Sequence, residues 1–127
     1  SNEFSILNLS GLYNLQKLYC YDNNLSNLNL TGLSNLKILS CSLCNLSSLN
    51  LNGLTSLETL RCGSNFLANL NCSSNNIINL NLNGLVNLET VDCSYNMIES
   101  INSIGLTKLK FLHCHYNQIQ TLNLSMR

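Results

Sequence analysis

One pattern constrains this chain more than any other feature: Leu-x-x-Leu-x-Cys-x-x-Asn-x-Leu, first read from Leu15 to Leu25. It returns from Leu36 to Leu46 with Cys44 in the Asn slot, then from Leu57 to Leu67, Leu67 to Ile77, Leu88 to Ile98 and Leu109 to Ile119. A second unit alternates with it. Leu25-x-x-Leu28-Asn29-Leu30-x-Gly32-Leu33 recurs from Phe4, Leu46, Ile77 and Ile98, and in part at Leu122. The Cys unit is 10 residues long and the Gly unit 11, so a pair makes a 21-residue period. A period of that length means stacked coils, because one coil alone cannot bury its apolar side while neighbours share a continuous core.

The slots have separate physical tasks. In Leu-x-x-Leu-x-Cys the apolar positions alternate with polar ones, which predicts a short strand with one buried face. The Asn three residues after the Cys falls where the chain must bend. Asn tolerates left-handed backbone and its amide can satisfy turn groups. The Gly of Leu-x-Gly-Leu marks the bend on the other side. The 29 Leu and 24 Asn are therefore periodicity rather than bias. An outward Asn row (Asn8, Asn29, Asn50, Asn81, Asn102 and Asn123) is expected to stack as an amide ladder.

At this point the chain resembles the leucine-rich repeat family, and most closely its bacterial 21-residue type with two nested half-repeats. The resemblance covers residues 2–126. It implies a β-rich repeat solenoid, curved and right-handed, with a parallel sheet on the concave side and few or no helices. It also implies a non-catalytic module that binds a protein partner through exposed strand positions, as extracellular or cell-surface members commonly do. The alternative is a structural spacer or adhesion stalk within a longer surface protein. Residues 1–127 read as one solenoid segment of about six coils that starts and stops inside a repeat without polar caps. Terminal repeats normally need caps, so the reading is a piece of a longer protein, with end-to-end self-association through the uncapped coils as a consequence.

The period breaks once. The Cys unit at Leu57 is followed directly by another at Leu67, with no Gly unit between them. Starts at Phe4, Leu25, Leu46, Leu67, Leu88 and Leu109 nevertheless keep an unbroken 21-residue spacing. One expectation is that both halves are strand-like, the solenoid is two-sided, and Cys units change sides after Leu67. The rival expectation is an irregular or extended coil over residues 57–76.

Function classes narrow by exclusion. Charged residues are only 9% of the chain and the net charge is zero, which excludes a basic phosphate-tracking surface and so a nucleic-acid partner. No apolar run is long enough for membrane insertion. Asp22, Asp92, Glu58, Glu89 and Glu99 fall in different slots, and no nucleophile-elbow, P-loop or dinucleotide motif occurs. The expectation is no enzyme and no cofactor. Six cysteines (Cys20, Cys41, Cys62, Cys72, Cys93, Cys114) share one inward slot and read as a ladder of buried, reduced thiols. Cys41-x-x-Cys44 has zinc half-site spacing but no second pair. His113-Cys114-His115 cannot ligate one ion, because alternation sends Cys114 inward and both histidines outward. The six Asn-x-Ser/Thr matches, at Asn8, Asn24, Asn29, Asn45, Asn71 and Asn123, read as products of the repeat in segments expected to pack.

Outward strand slots leave the candidate contact surface. Four of the five tyrosines lie there although no core slot demands them, and exposed aromatics are favoured anchors. The candidate site is Asp92, Tyr95, Phe111, His113, His115 and Tyr116, with Tyr19 and Tyr21 as a separate patch on the opposite face if the solenoid is two-sided.

Overall fold

The computed structural model describes residues 6–25 and 27–123 and is a helix-free parallel β-solenoid of about five turns. Nine three-residue strands follow in chain order: β1 Lys17–Tyr19, β2 Ile38–Ser40, β3 Thr59–Arg61, β4 Asn69–Asn71, β5 Asn79–Asn81, β6 Thr90–Asp92, β7 Ser100–Asn102, β8 Phe111–His113 and β9 Thr121–Asn123. They form three parallel sheets in the orders β1-β2-β3-β5, β4-β6-β8 and β7-β9.

These orders settle the break in the period. β3 lies between β2 and β5, with Leu60 opposite Leu39 and Leu80. β4 lies instead against β6, with Leu70 opposite Val91. The two consecutive Cys units are thus on opposite faces of one coil. On the first face, Cys units (β1, β2, β3) give way to Gly units (β5, β7, β9). On the second face the Cys units begin at β4. No irregular excursion occurs over residues 57–76. The Gly units that occupy the second face below β4 keep their inward leucines, with Leu9, Leu28, Leu30 and Leu51 buried, but carry no ladder strands.

The change of sides makes a local demand on the chain. A Gly unit now stacks on a Cys unit, and the Asn83 carbonyl comes down onto Gly63. A Cβ at Gly63 would lie 2.2 Å from that oxygen, which accepts the Ser64 amide at 3.0 Å. Only glycine fits there. On the second face the Asn75 side chain meets a Gly unit below it, and its Oδ1 is buried without a hydrogen-bond partner among the described residues.

Inward slots build one continuous core of leucine, isoleucine, valine and cysteine. The cysteines form two three-rung rows rather than a single ladder: Cys20, Cys41 and Cys62 on the first wall, and Cys72, Cys93 and Cys114 on the second. All seven cysteines are free thiols, and all but the half-buried Cys114 are buried. Burial pushes the Cys20, Cys62 and Cys93 thiols up to about 12, with neighbouring thiols adding to the effect at Cys20 and Cys93. Cys72 is raised by burial first, then by Cys93 and Cys62, so the two rows face each other across one core. Such thiols stay protonated and unreactive at neutral pH.

The turn Asn row holds adjacent coils together. Asn65 Nδ2 donates to Cys62 O and Cys41 O, both at 2.9 Å, while its Oδ1 accepts from the Cys44 and Leu46 amides at 3.0 Å each. Asn96 repeats the pattern between Cys93 and the coil of Asn75 and Ile77. Left-handed backbone, expected at these Asn residues, belongs instead to the residue before them: Asp22, Leu43, Ser64, Ser74, Tyr95 and Tyr116 have φ of 54–59°. The Asn must keep an ordinary backbone so that its side chain can point inward to the carbonyls. Cys44 replaces the amide with a thiol that donates to Cys20 O at 3.0 Å, and the following Asn45 takes φ 60°.

The outward Asn row does not stack as an amide ladder. Each amide oxygen accepts the backbone N–H two residues ahead, closing an Asx turn: Asn8 to Ser10, Asn29 to Thr31, Asn50 to Asn52, Asn81 to Asn83 and Asn102 to Ile104. This local bond outcompetes stacking because it satisfies a backbone donor within the same turn. The side chain of Asn123 lies outside the described residues. The same turn explains the Asn-x-Ser/Thr matches, since the Thr31 and Ser73 hydroxyls donate to Asn29 and Asn71. Asn8, Asn24, Asn29, Asn45 and Asn71 are exposed rather than packed.

Candidate functional site

The second face places six sequence-selected residues on two adjacent coils. β6 and β8 pair in register, with Asp92 directly opposite His113 and Thr90 opposite Phe111. Alternation turns Val91 and Leu112 inward and leaves Phe111 and His113 exposed. Beyond the strands, Tyr95 and Tyr116 occupy equivalent left-handed turn slots and point outward, 53% and 70% exposed. Their rings stack at 4.6 Å with an interplanar angle of 14°. His115 meets both edge-on, at 5.4 Å from each. Offset and edge-to-face ring pairs of this kind add about 0.5–1.5 kcal/mol each, so the cluster is a preformed rigid group.

Asp92 is fixed from below. Ser94 donates to its Oδ1 twice, through its hydroxyl at 2.6 Å and its amide at 3.1 Å. Burial raises the Asp92 carboxyl, but the Ser94 bonds and then the nearby His113 and His115 outweigh it and hold it below the ordinary carboxylate range. Asp92 is thus a fixed anion at neutral pH. Alternation with the inward Cys93 predicts an outward Ser94, whereas the structure buries it, along with Ser40 and Gly63. The signal was available: Asp92-x-Ser94 repeats Asn29-x-Thr31 and Asn71-x-Ser73.

Tyr19 and Tyr21 are exposed on the first face, remote from this cluster by the change of sides. Their neighbours across the sheet are Ser40 and Ser42, so no ring stack forms there. His113 and His115 both lie outward, and no group of three or more His, Cys, Asp or Glu able to hold a metal occurs among the described residues. Cys41 and Cys44 are both buried, and the Cys44 thiol is engaged with Cys20 O and Ser42 O. An open groove of about 350 Å³ lies on the first face where β5 and β7 fail to pair, lined by Arg61, Asn79, Asn81 and Asn102 among others.

Residues 86–125, which include all six residues of this cluster, match the family model for leucine-rich repeats in two copies. No curated protein matches the chain. Among solved structures, the chain is similar to the functional domain of InlJ from Listeria monocytogenes, described as including a cysteine ladder. Identity is 25%, over 96% of this chain and 42% of that one, with a TM-score of 0.40. The chain therefore spans less than half the length of that structure. Residues 86–125 thus match leucine-rich repeats, and the unit found there recurs through the other described coils.

Proposed function

We propose that this solenoid segment is a non-catalytic interaction module that binds a protein partner on its second face. The Tyr95–Tyr116–His115 stack with Phe111 and Asp92 forms the contact centre. The observation that carries the reading is the ring cluster itself. Five aromatic or imidazole rings sit outward on two adjacent coils, three of them in mutual contact, while the core needs none of them. Preorganised aromatics lose little side-chain freedom on binding, which is what makes such residues energetic anchors. The rest of the face is short and polar, Asn69, Asn71, Ser73 and Thr90, as the rim of an interface commonly is.

A structural spacer or adhesion stalk would leave the two faces equivalent. The test uses a protein partner recovered by affinity capture and compares variants on opposite faces. Phe111→Ala and Tyr116→Ala each weaken binding at least tenfold, about 1.4 kcal/mol, with unchanged circular dichroism. Tyr19→Ala and Tyr21→Ala stay within about twofold of the parent. Equal losses from both faces, or none from either, refute the assignment.

A further inference from the structure

The ring spacing in the Tyr95–Tyr116 stack shows how the platform is oriented. Strands in a sheet repeat at about 4.8 Å, and the two rings lie 4.6 Å apart and nearly parallel. The ring planes therefore lie across the solenoid axis, one coil apart. One face of Tyr95 is covered by Tyr116. The other looks toward the equivalent slot on the preceding coil, which is the small, exposed Ser74. A shelf one side chain deep is left there, walled by an aromatic face.

The charges around this shelf define what it can hold. The outward slots of β4, β6 and β8 are Asn69, Asn71, Thr90, Asp92, Phe111 and His113, with Asp92 the one carboxylate among them and no lysine or arginine. Its carboxylate is held ionised by Ser94 on the same coil as Tyr95. At the strand entries Glu89 and Lys110 are paired at 3.9 Å, and Lys108 donates to Asn87 at 3.2 Å. An aromatic face is electronegative and attracts cations within about 6 Å of the ring centre. A ring face and a carboxylate that pairs with no lysine or arginine among the described residues make a seat for a positive side chain.

We propose that the second face recognises an arginine- or lysine-bearing segment of its partner. One cationic side chain lies over Ser74 against the Tyr95 ring, with Asp92 as counter-ion. This rests on the reading of that face as the partner-binding surface and specifies its chemistry.

The test is an NMR titration of the 127-residue chain with an acetylated glycine–arginine–glycine amide and with its neutral citrulline counterpart. The arginine peptide is expected to shift the Tyr95, Ser74 and Asp92 signals, saturating in the millimolar range, with the citrulline peptide at least about threefold weaker. Asp92→Asn keeps the Ser94 hydrogen bonds but removes the charge, and should weaken the arginine peptide by about threefold. Equal response to both peptides, shifts confined to other coils, or indifference to Asp92→Asn overturns the proposal. Should Phe111→Ala and Tyr116→Ala still abolish partner binding in that event, the face is the interface and only its cationic specificity is wrong.

Discussion

Replacing Asn96 with Ala tests the coil-to-coil hydrogen bonding at a residue that, like Asn65, makes five side-chain bonds. Asn96 Nδ2 donates to Cys93 O, Ser94 O and Cys72 O at 3.0–3.1 Å, and Oδ1 accepts from the Asn75 and Ile77 amides at 3.1 and 3.0 Å. All three carbonyls keep another donor after the change: Asn117 for Cys93, Asn75 for Cys72, and the Ser74 amide for Ser94. The two amides keep none. A buried donor left unsatisfied costs roughly 1–3 kcal/mol, so Asn96→Ala should cost about 4 kcal/mol. That is a large part of the 5–15 kcal/mol that stabilises an ordinary domain. Asn75→Ala is the matched control. Its Oδ1 already has no partner, so only its donor bonds to Cys72 O and Ser73 O are lost, and the cost should stay near 1 kcal/mol. Urea unfolding followed by circular dichroism gives both values. Amide exchange should show protection falling at Asn75 and Ile77 in the Asn96 variant alone. Equal destabilisation by the two changes, or less than about 1 kcal/mol from Asn96→Ala, would refute the reasoning.

Three further outcomes follow from the same structure. Gly63→Ala should destabilise by about 2–3 kcal/mol because the Asn83 carbonyl leaves no room for a Cβ; urea midpoints should show Gly53→Ala costing clearly less, since only its φ of 82° opposes a side chain there. Cys44→Asn should raise stability by about 1 kcal/mol, by offering the Leu25 amide the side-chain oxygen that Asn65 offers Leu46 one coil on; an unchanged urea midpoint would contradict it. The thiols of Cys20, Cys62 and Cys93 are raised to about 12 in the fold. Their stabilisation is therefore complete below the unfolded thiol value of about 8.5 and lost as pH rises toward 12, at about 1.4 kcal/mol per thiol per pH unit. The native chain should resist Ellman's reagent near pH 8 and unfold sharply within about two units above it; fast labelling of several thiols in the native chain would contradict the buried rows.

Much of this was readable in the sequence because a repeat displays each slot several times. The unbroken 21-residue spacing from Phe4 to Leu109 raised the two-sided arrangement as one of two readings, and strand pairing decides for it, which separates Tyr19 and Tyr21 from Tyr95 and Tyr116. Hydrogen-bond detail was less legible. Periodicity marks Asn23, Asn65 and Asn96 as bend residues, but it cannot say whether the backbone or the side chain does the work. The left-handed slot carries Asp, Leu, Ser and Tyr, a mixture with no compositional signature. Ser94 looked outward by alternation, yet the turn after β6 folds it under Asp92. The stack of Tyr95 on Tyr116 follows from equal slots one coil apart, whereas the edge-on placement of His115 depends on side-chain rotamers that no spacing encodes.

Which aromatics share a surface depends on the change of sides, and strand pairing in solution reads that change directly. In parallel strands, nuclear Overhauser contacts between the α-proton of one residue and the amide proton across the ladder identify neighbours. The structure predicts such contacts between the segments around Leu60 and Leu80, and between those around Leu70 and Val91. Contacts that instead pair Leu60 with Leu70 would put both Cys units on one face and contradict the account.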